Sequence, residues 1–307
     1  MSASLAGCGK SGDEGDDTAT DSTALHVALM PCLDCLPIYY AQQTGIYRRL
    51  GLDLCILSLQ AQMDVDTALL RRRAEVAYTD LIRAMMIQQT DTFDLRVTHA
   101  TQGALELVTA RKHHLRYLSR LKEKMVAVAR HSITDYWSDR LTDTARLERD
   151  EIFRPQINDI RLRTDMLCAG TMDAAFLPEP YASEARLRGN TSHLDTRELT
   201  PRLTCFAVAS WTLRDSTRKA QMDLLWQGYE QAEEEINAGQ RDSVAVWLRQ
   251  VCLTPDTLVG RIVQDLPQLE PLTKPRQRDI ETALQWLESR QKRHETYSAR
   301  HLVVAEP

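Results

Sequence analysis

The feature that most constrains this chain is an alternation of short apolar runs with helical patterns that halts at a polar stretch and then begins again. Residues 24–30, 52–59, 75–78, 95–100 and 105–110 read as buried strands. Between them, Pro37 opens a helix that Gly45 stops, and residues 64–73 place Val65, Ala68 and Leu69 on one helical face. Residues 81–88 read as a further helix that Thr79 or Asp80 can cap. Alternation of this kind implies a mainly parallel sheet with helices on both faces.

After a polar linker, 111–123, the pattern restarts with a strand at 124–129. Ser132, Ile133, Thr134 and Asp135 have the form of a capping box that opens a helix. Residues 157–160 and 173–177 read as strands around a short helix near Met166, and 203–211 as a strand that returns to the first sheet. The last third is mostly helical. In 219–238 an apolar stripe of Met222, Leu225, Trp226, Tyr229 and Ile236 ends at Gly239. Another helix begins at Thr254 and Pro255, and 279–293 turns Ile280, Ala283, Leu284 and Leu287 inward. The expected architecture is α/β: two mixed, mainly parallel sheets in two lobes joined by a hinge. Lobe one is expected to span 24–111 plus 206–307, lobe two 112–205, and residues 1–23 a tether.

With 307 residues, 43% of them hydrophobic, the chain can bury a core in each of two lobes. No run approaches the ~18 apolar residues of a membrane-spanning helix. The net charge of -5 is matched by the acids of 11–24 alone, so the remainder is formally neutral. That argues against the clustered basic surface of a nucleic-acid binder and against docking on an anionic membrane by charge alone. Leu5, Ala6, Gly7 and Cys8 resemble a bacterial lipobox, in which the cysteine thiol receives diacylglycerol. Residues 9–21 are a Gly/Ser/Asp/Thr stretch of the composition of a flexible spacer. Only seven residues precede Cys8, and they lack the charged and apolar regions of a signal peptide. The expectation is a lipid-anchored protein on the periplasmic or cell-surface side, touching the membrane only through Cys8. The alternative is a plain disordered N-terminus.

Three stretches in register resemble one family. Residues 36–54, LPIYYAQQTGIYRRLGLDL, are similar to the opening segment of nitrate/sulfonate/taurine-type and thiamine-precursor-type binding proteins. Residues 61–80, AQMDVDTALLRRRAEVAYTD, match the family's polar loop, short helix and strand ending at a cleft. Residues 172–189, MDAAFLPEPYASEARLRG, resemble its acidic Glu-Pro segment. The resemblance covers roughly 24–211 and identifies the chain as similar to type II periplasmic, ABC-transporter solute-binding proteins. It implies a two-lobed fold that closes on a small molecule and hands it to an ABC permease, acting as a monomer, without a cofactor and without catalysis. Two other readings use the same fold: an enzyme of the pyrimidine-synthase type, and a ligand-sensing domain. Cys32-Leu33-Asp34-Cys35 does not reproduce that enzyme's cysteine-rich motif, and its cofactor lysine has no counterpart that can be mapped here.

Ligands of open parallel sheets bind beyond the carboxyl ends of strands, where helix N-termini point into the crevice. That places Asp34, Tyr39 and Tyr40 in the first loop, Gln62 and Asp64 in the second, Thr79 and Asp80 in the third, and Thr101 in the fourth. The second lobe would add Arg130, Ser132 and Thr134, then Asn158, then Glu179 and Tyr181. Asp64, Thr79, Asp80 and Ser132 serve equally as helix caps, Glu179 as a turn residue, and Arg130 as a surface charge. Acids outnumber Arg130 in these loops, which favours a cationic or heteroaromatic ligand, stacked on Tyr39 or Tyr40, over a bare anion. Cys32 and Cys35 can form a disulfide or stay as buried thiols; no second cysteine pair completes a metal site. Nothing resembles G-x-S-x-G, H-E-x-x-H or a phosphate-cradling glycine loop.

Overall fold

A computed structural model describes residues 23–89, 93–113, 117–290, 299 and 302–303. The expected lipidation site, Cys8, lies outside them. In chain order the strands are β1 (Leu25–Leu29), β2 (Leu54–Ser58), β3 (Val76–Asp80), β4 (Leu95–Ala100), β5 (Leu105–Thr109), β6 (Val126–Ala127), β7 (Ala174–Pro178), β8 (Thr191–Asp195) and β9 (Thr204–Ala209). They form one sheet in the order β2-β1-β3-β9-β4 and another in the order β6-β7-β5-β8. β1 runs parallel to β2 and β3, and β9 returns antiparallel between β3 and β4. β3 and β9 are buried along their whole length, as strands covered by helices on both faces must be.

The chain passes between sheets twice, at 101–104 and at 196–203. This corrects the expected division at 111/112. β5 was read as part of lobe one but pairs with β7 and β8 in the second sheet. The polar stretch that suggested a boundary lies after the crossing and packs on lobe two. There Lys112 Nζ donates to Gly170 O at 2.6 Å, and His113 pairs with Asp173. Its polarity reflects exposure, not a hinge.

Two smaller expectations also change. Residues 157–160 are not a strand: Asp159 caps the helix Ile160–Cys168, accepting from Leu162 N at 2.8 Å. The run read as a strand at 124–129 narrows to β6. β8 was missed because its sequence, TSHLD, is partly exposed and carries no apolar alternation.

Asp215 caps the helix Ser216–Asn237, which buries Met222, Leu225, Tyr229 and Ile236 and packs on the helix Leu36–Thr44. Gly228 leaves a bare patch on it for the Tyr47 ring, whose hydroxyl donates to Leu225 O at 3.2 Å. The helix Gln277–Arg290 packs on Leu81–Gln88 in lobe one and reaches lobe two. Trp286 Nε1 donates to Asp139 at 2.8 Å, and Arg290 pairs with the same carboxylate. Among the described residues no helix is long and apolar enough to cross a membrane.

Candidate ligand-binding cleft

The two sheets face each other across a hollow at the carboxyl ends of β3 and β7, where an α/β crevice collects its ligand. The lobes touch around it. Leu33 N donates to Glu179 O at 3.0 Å, Ile160 N to Gln60 O at 3.0 Å, and Ile133 N to Asp80 Oδ2 at 3.1 Å. The cleft is therefore closed. From the sequence-expected set, Asp34, Gln62, Thr79 and Asp80 line it from lobe one; Ser132, Thr134, Asn158 and Glu179 line it from lobe two.

The rest lie elsewhere. The Tyr39 hydroxyl donates to Ser58 Oγ at 2.9 Å, and that of Tyr40 to Glu235 at 2.9 Å, so both rings are spent in the core and neither offers a stacking face. Asp64 and Arg130 are exposed. Thr101 sits behind the cleft wall, and Tyr181 is fully buried with its hydroxyl on Gln60 at 3.4 Å. Arg163, Arg197 and Thr204 line the hollow and were not foreseen. An arginine inside a helix reads from sequence as a solvated charge; nothing marks Arg163 as facing inward.

The acids here are already engaged. Asp34 accepts from Thr101 Oγ1 at 2.6 Å, Tyr78 Oη at 2.7 Å and Gly103 N at 3.1 Å, which ties the loop after β1 to the first crossover. Burial pushes its carboxyl up, and these donors pull it back. Glu179 accepts from Ser183 N at 3.0 Å and pairs with Arg186 at 3.0 Å; burial raises its carboxyl against the arginine. Asp80 caps the helix Leu81–Gln88 through Arg83 N at 2.9 Å while its other oxygen reaches Ile133 N. The excess of acids that favoured a cationic ligand is thus smaller than the sequence suggested, and Arg163 and Arg197 reduce it further.

Arg163 is 4% exposed and donates to Ile157 O at 2.8 and 3.0 Å and to Phe176 O at 3.3 Å. Burial lowers its guanidinium to about 10, still protonated at neutral pH. Thr79 and Arg197 are among the residues of the lining; Thr79 Oγ1 and Arg197 Nε are shielded and have no hydrogen-bond partner among the described residues, and Arg197 Nη2 lies 3.5 Å from Asp195. The Cys32 thiol donates to Cys35 Sγ at 3.7 Å and the two form no disulfide, and no metal-holding cluster of three or more His, Cys, Asp or Glu occurs among the described residues.

Burial pushes the Asp80 carboxyl up to about 6, with Arg83 and Ile133 amides pulling it down. A raised acid favours the protonated form in the folded state. Its contribution is therefore greatest below the unfolded value and is lost as pH rises from about 4 through 6. Asp80→Asn removes that slope. In urea melts the variant should gain about 2–3 kcal/mol relative to the parent between pH 4 and pH 8. Parallel curves would show that Asp80 does not titrate in this window.

This is the two-lobed, type II periplasmic-binding-protein fold. The alkanesulfonate-binding protein SsuA from Xanthomonas axonopodis pv. citri, solved with MOPS, superposes with a TM-score of 0.72 at 16% identity, covering 92% of this chain and 99% of that one. The aliphatic sulphonate-binding protein SsuA of Escherichia coli gives 0.72 at 15% identity, with 93% of each chain covered. A ligand-binding component of an ABC-type import system from Staphylococcus aureus, with zinc bound, gives 0.74 at 10% identity, covering 92% and 97%. No protein-family model and no curated protein matches the sequence.

Proposed function

We propose that this protein is the solute-binding component of an ABC importer, a monomer that captures one small organic molecule between its lobes and delivers it to a membrane permease. One observation carries the reading: a hollow between the lobes, lined from both of them at the carboxyl ends of β3 and β7. The similar architecture of importer-type binding proteins supports it. In this reading Cys8 carries the lipid that holds the protein at the periplasmic or cell-surface side.

The lining is largely apolar, through Met30, Leu33, Leu105, Ile133 and Ile160, with few polar groups placed to orient a guest. We assign it a small uncharged or cationic molecule, such as a heteroaromatic. Tyr78, which lines the hollow, takes the place assigned from sequence to Tyr39 and Tyr40 as its aromatic wall.

Native mass spectrometry of the purified chain should find a small-molecule adduct lost on unfolding, and calorimetry should find heteroaromatic or amine ligands bound without turnover. Tight binding of sulfonates or nitrate with none of these would overturn the ligand class. Absorbance from bound pyridoxal phosphate would move the protein to the enzymes that share the fold.

A further inference from the structure

Asp80 ends β3 in lobe one, yet one of its oxygens lies across the cleft. Oδ1 accepts from Arg83 N at 2.9 Å in its own lobe, and Oδ2 accepts from Ile133 N at 3.1 Å in the other. Ile133 is the first residue of the 13-residue helix Ile133–Ala145. The unpaired amides and the aligned dipoles of such an N-terminus make it a seat for anions. Ser132 Oγ covers the next amide, Thr134 N, at 3.2 Å. The seat is therefore filled by the protein's own groups. Beside Asp80, Thr79 also belongs to the lining, and its Oγ1 is shielded without a partner among the described residues.

We infer that Asp80 is the specificity-determining residue of this cleft: a built-in anion that occupies the helix N-terminus across the hinge and turns anionic ligands away, leaving Thr79 for an uncharged or cationic guest. The inference rests on the reading of the cleft as a solute site. An arriving sulfonate or carboxylate would have to displace a tethered carboxylate and then share the cleft with it, and like charges at such range repel strongly. The nearby cations do not offset this, Arg197 in the lining being paired with Asp195 at 3.5 Å. Arg83 is turned to Asp66, and the Arg163 guanidinium is held by the carbonyls of Ile157 and Phe176. Specificity of this kind comes from an element that repels the wrong partner, not from tighter contacts to the right one.

The test uses calorimetry at pH 8 on the full chain and on Asp80→Ser and Asp80→Asn. Both replacements keep a side-chain oxygen to cap Arg83 N. The probes are methanesulfonate and dimethyl sulfone, which have nearly the same shape and differ in charge. Methanesulfonate should bind the serine variant at least about tenfold more tightly than the parent, while dimethyl sulfone changes by less than about threefold. Thermal melts give a second readout. Sodium sulfate, against sodium chloride at matched ionic strength, should raise the melting temperature of both variants more than that of the parent. Equal methanesulfonate affinity in parent and variants, or the same sulfate response in all three, overturns the inference. A parent that carries and binds no small molecule would instead sink the solute-binding reading, whatever the anion comparison gives.

Discussion

Gly103→Ala should destabilise the protein by about 4–5 kcal/mol and disable the hinge. Gly103 stands in the first crossover with φ +58. A Cβ there would fall 1.8 Å from Thr204 Oγ1 and 2.8 Å from Thr204 Cβ, at the end of the second crossover. Neither side can give way freely. Thr204 is buried, its hydroxyl is hydrogen-bonded to that of Thr101 at 2.7 Å, and, with the Thr101 proton given to Asp34, Thr204 is the donor; Gly103 N donates to Asp34 at 3.1 Å. The methyl would push the two crossing strands apart and break the bonds that fix the loop after β1. Gly239→Ala is the control: its φ is +96 and nothing lies within 4 Å of the added carbon, so it isolates the backbone cost of about 1 kcal/mol. Urea melts of both variants decide the matter. Equal losses at the two glycines would show that the crossovers are not packed against each other.

The same crossover shows where sequence reading stops. The fold was legible because its information is local: apolar runs such as LHVAL and VAYTD, Asp80 and Ser132 as caps, Gly45 as a stop. The hinge was not, because 101–104 is four ordinary residues whose importance lies in touching Thr204, about a hundred positions away. The cleft was legible to the extent that strand ends are. Asp34, Gln62, Thr79, Asp80, Ser132, Thr134, Asn158 and Glu179 follow strands or open helices, and all face the hollow. Tyr39 and Tyr40 failed for a geometric reason. They lie one turn inside the helix Leu36–Thr44, and both hydroxyls are held within lobe one, by Ser58 and Glu235. Counting acids near the cleft failed as well, since a count cannot tell a carboxylate awaiting a ligand from one already holding three donors, as Asp34 does.

Arg163 is the residue on which that failure bears hardest, and replacing it should cost nearly as much as the hinge substitution. Arg163→Met keeps the length and apolar bulk of the side chain but removes every donor. The carbonyls of Ile157 and Phe176 then lose the guanidinium that spans them, and each buried acceptor left without a partner costs about 1–3 kcal/mol. A total loss of about 3–5 kcal/mol follows, reduced by whatever water enters from the hollow. The damage should not stay in lobe two. Arg163 holds the segment before Ile160, whose amide donates to Gln60 O in lobe one at 3.0 Å and whose neighbour Asp159 bridges to Ala61. Loosening that segment loosens closure, so ligand affinity should fall along with stability. Arg163→Lys separates the two properties of the side chain. It keeps the charge but cannot fork between two carbonyls, so it should lose an intermediate amount. If the methionine variant melts within about 0.5 kcal/mol of the parent, the carbonyls are being satisfied by water and the arginine is held in the cleft wall for the ligand alone. In that case the lysine variant should lose affinity without losing stability, a pattern that calorimetry and urea melts on the same samples distinguish.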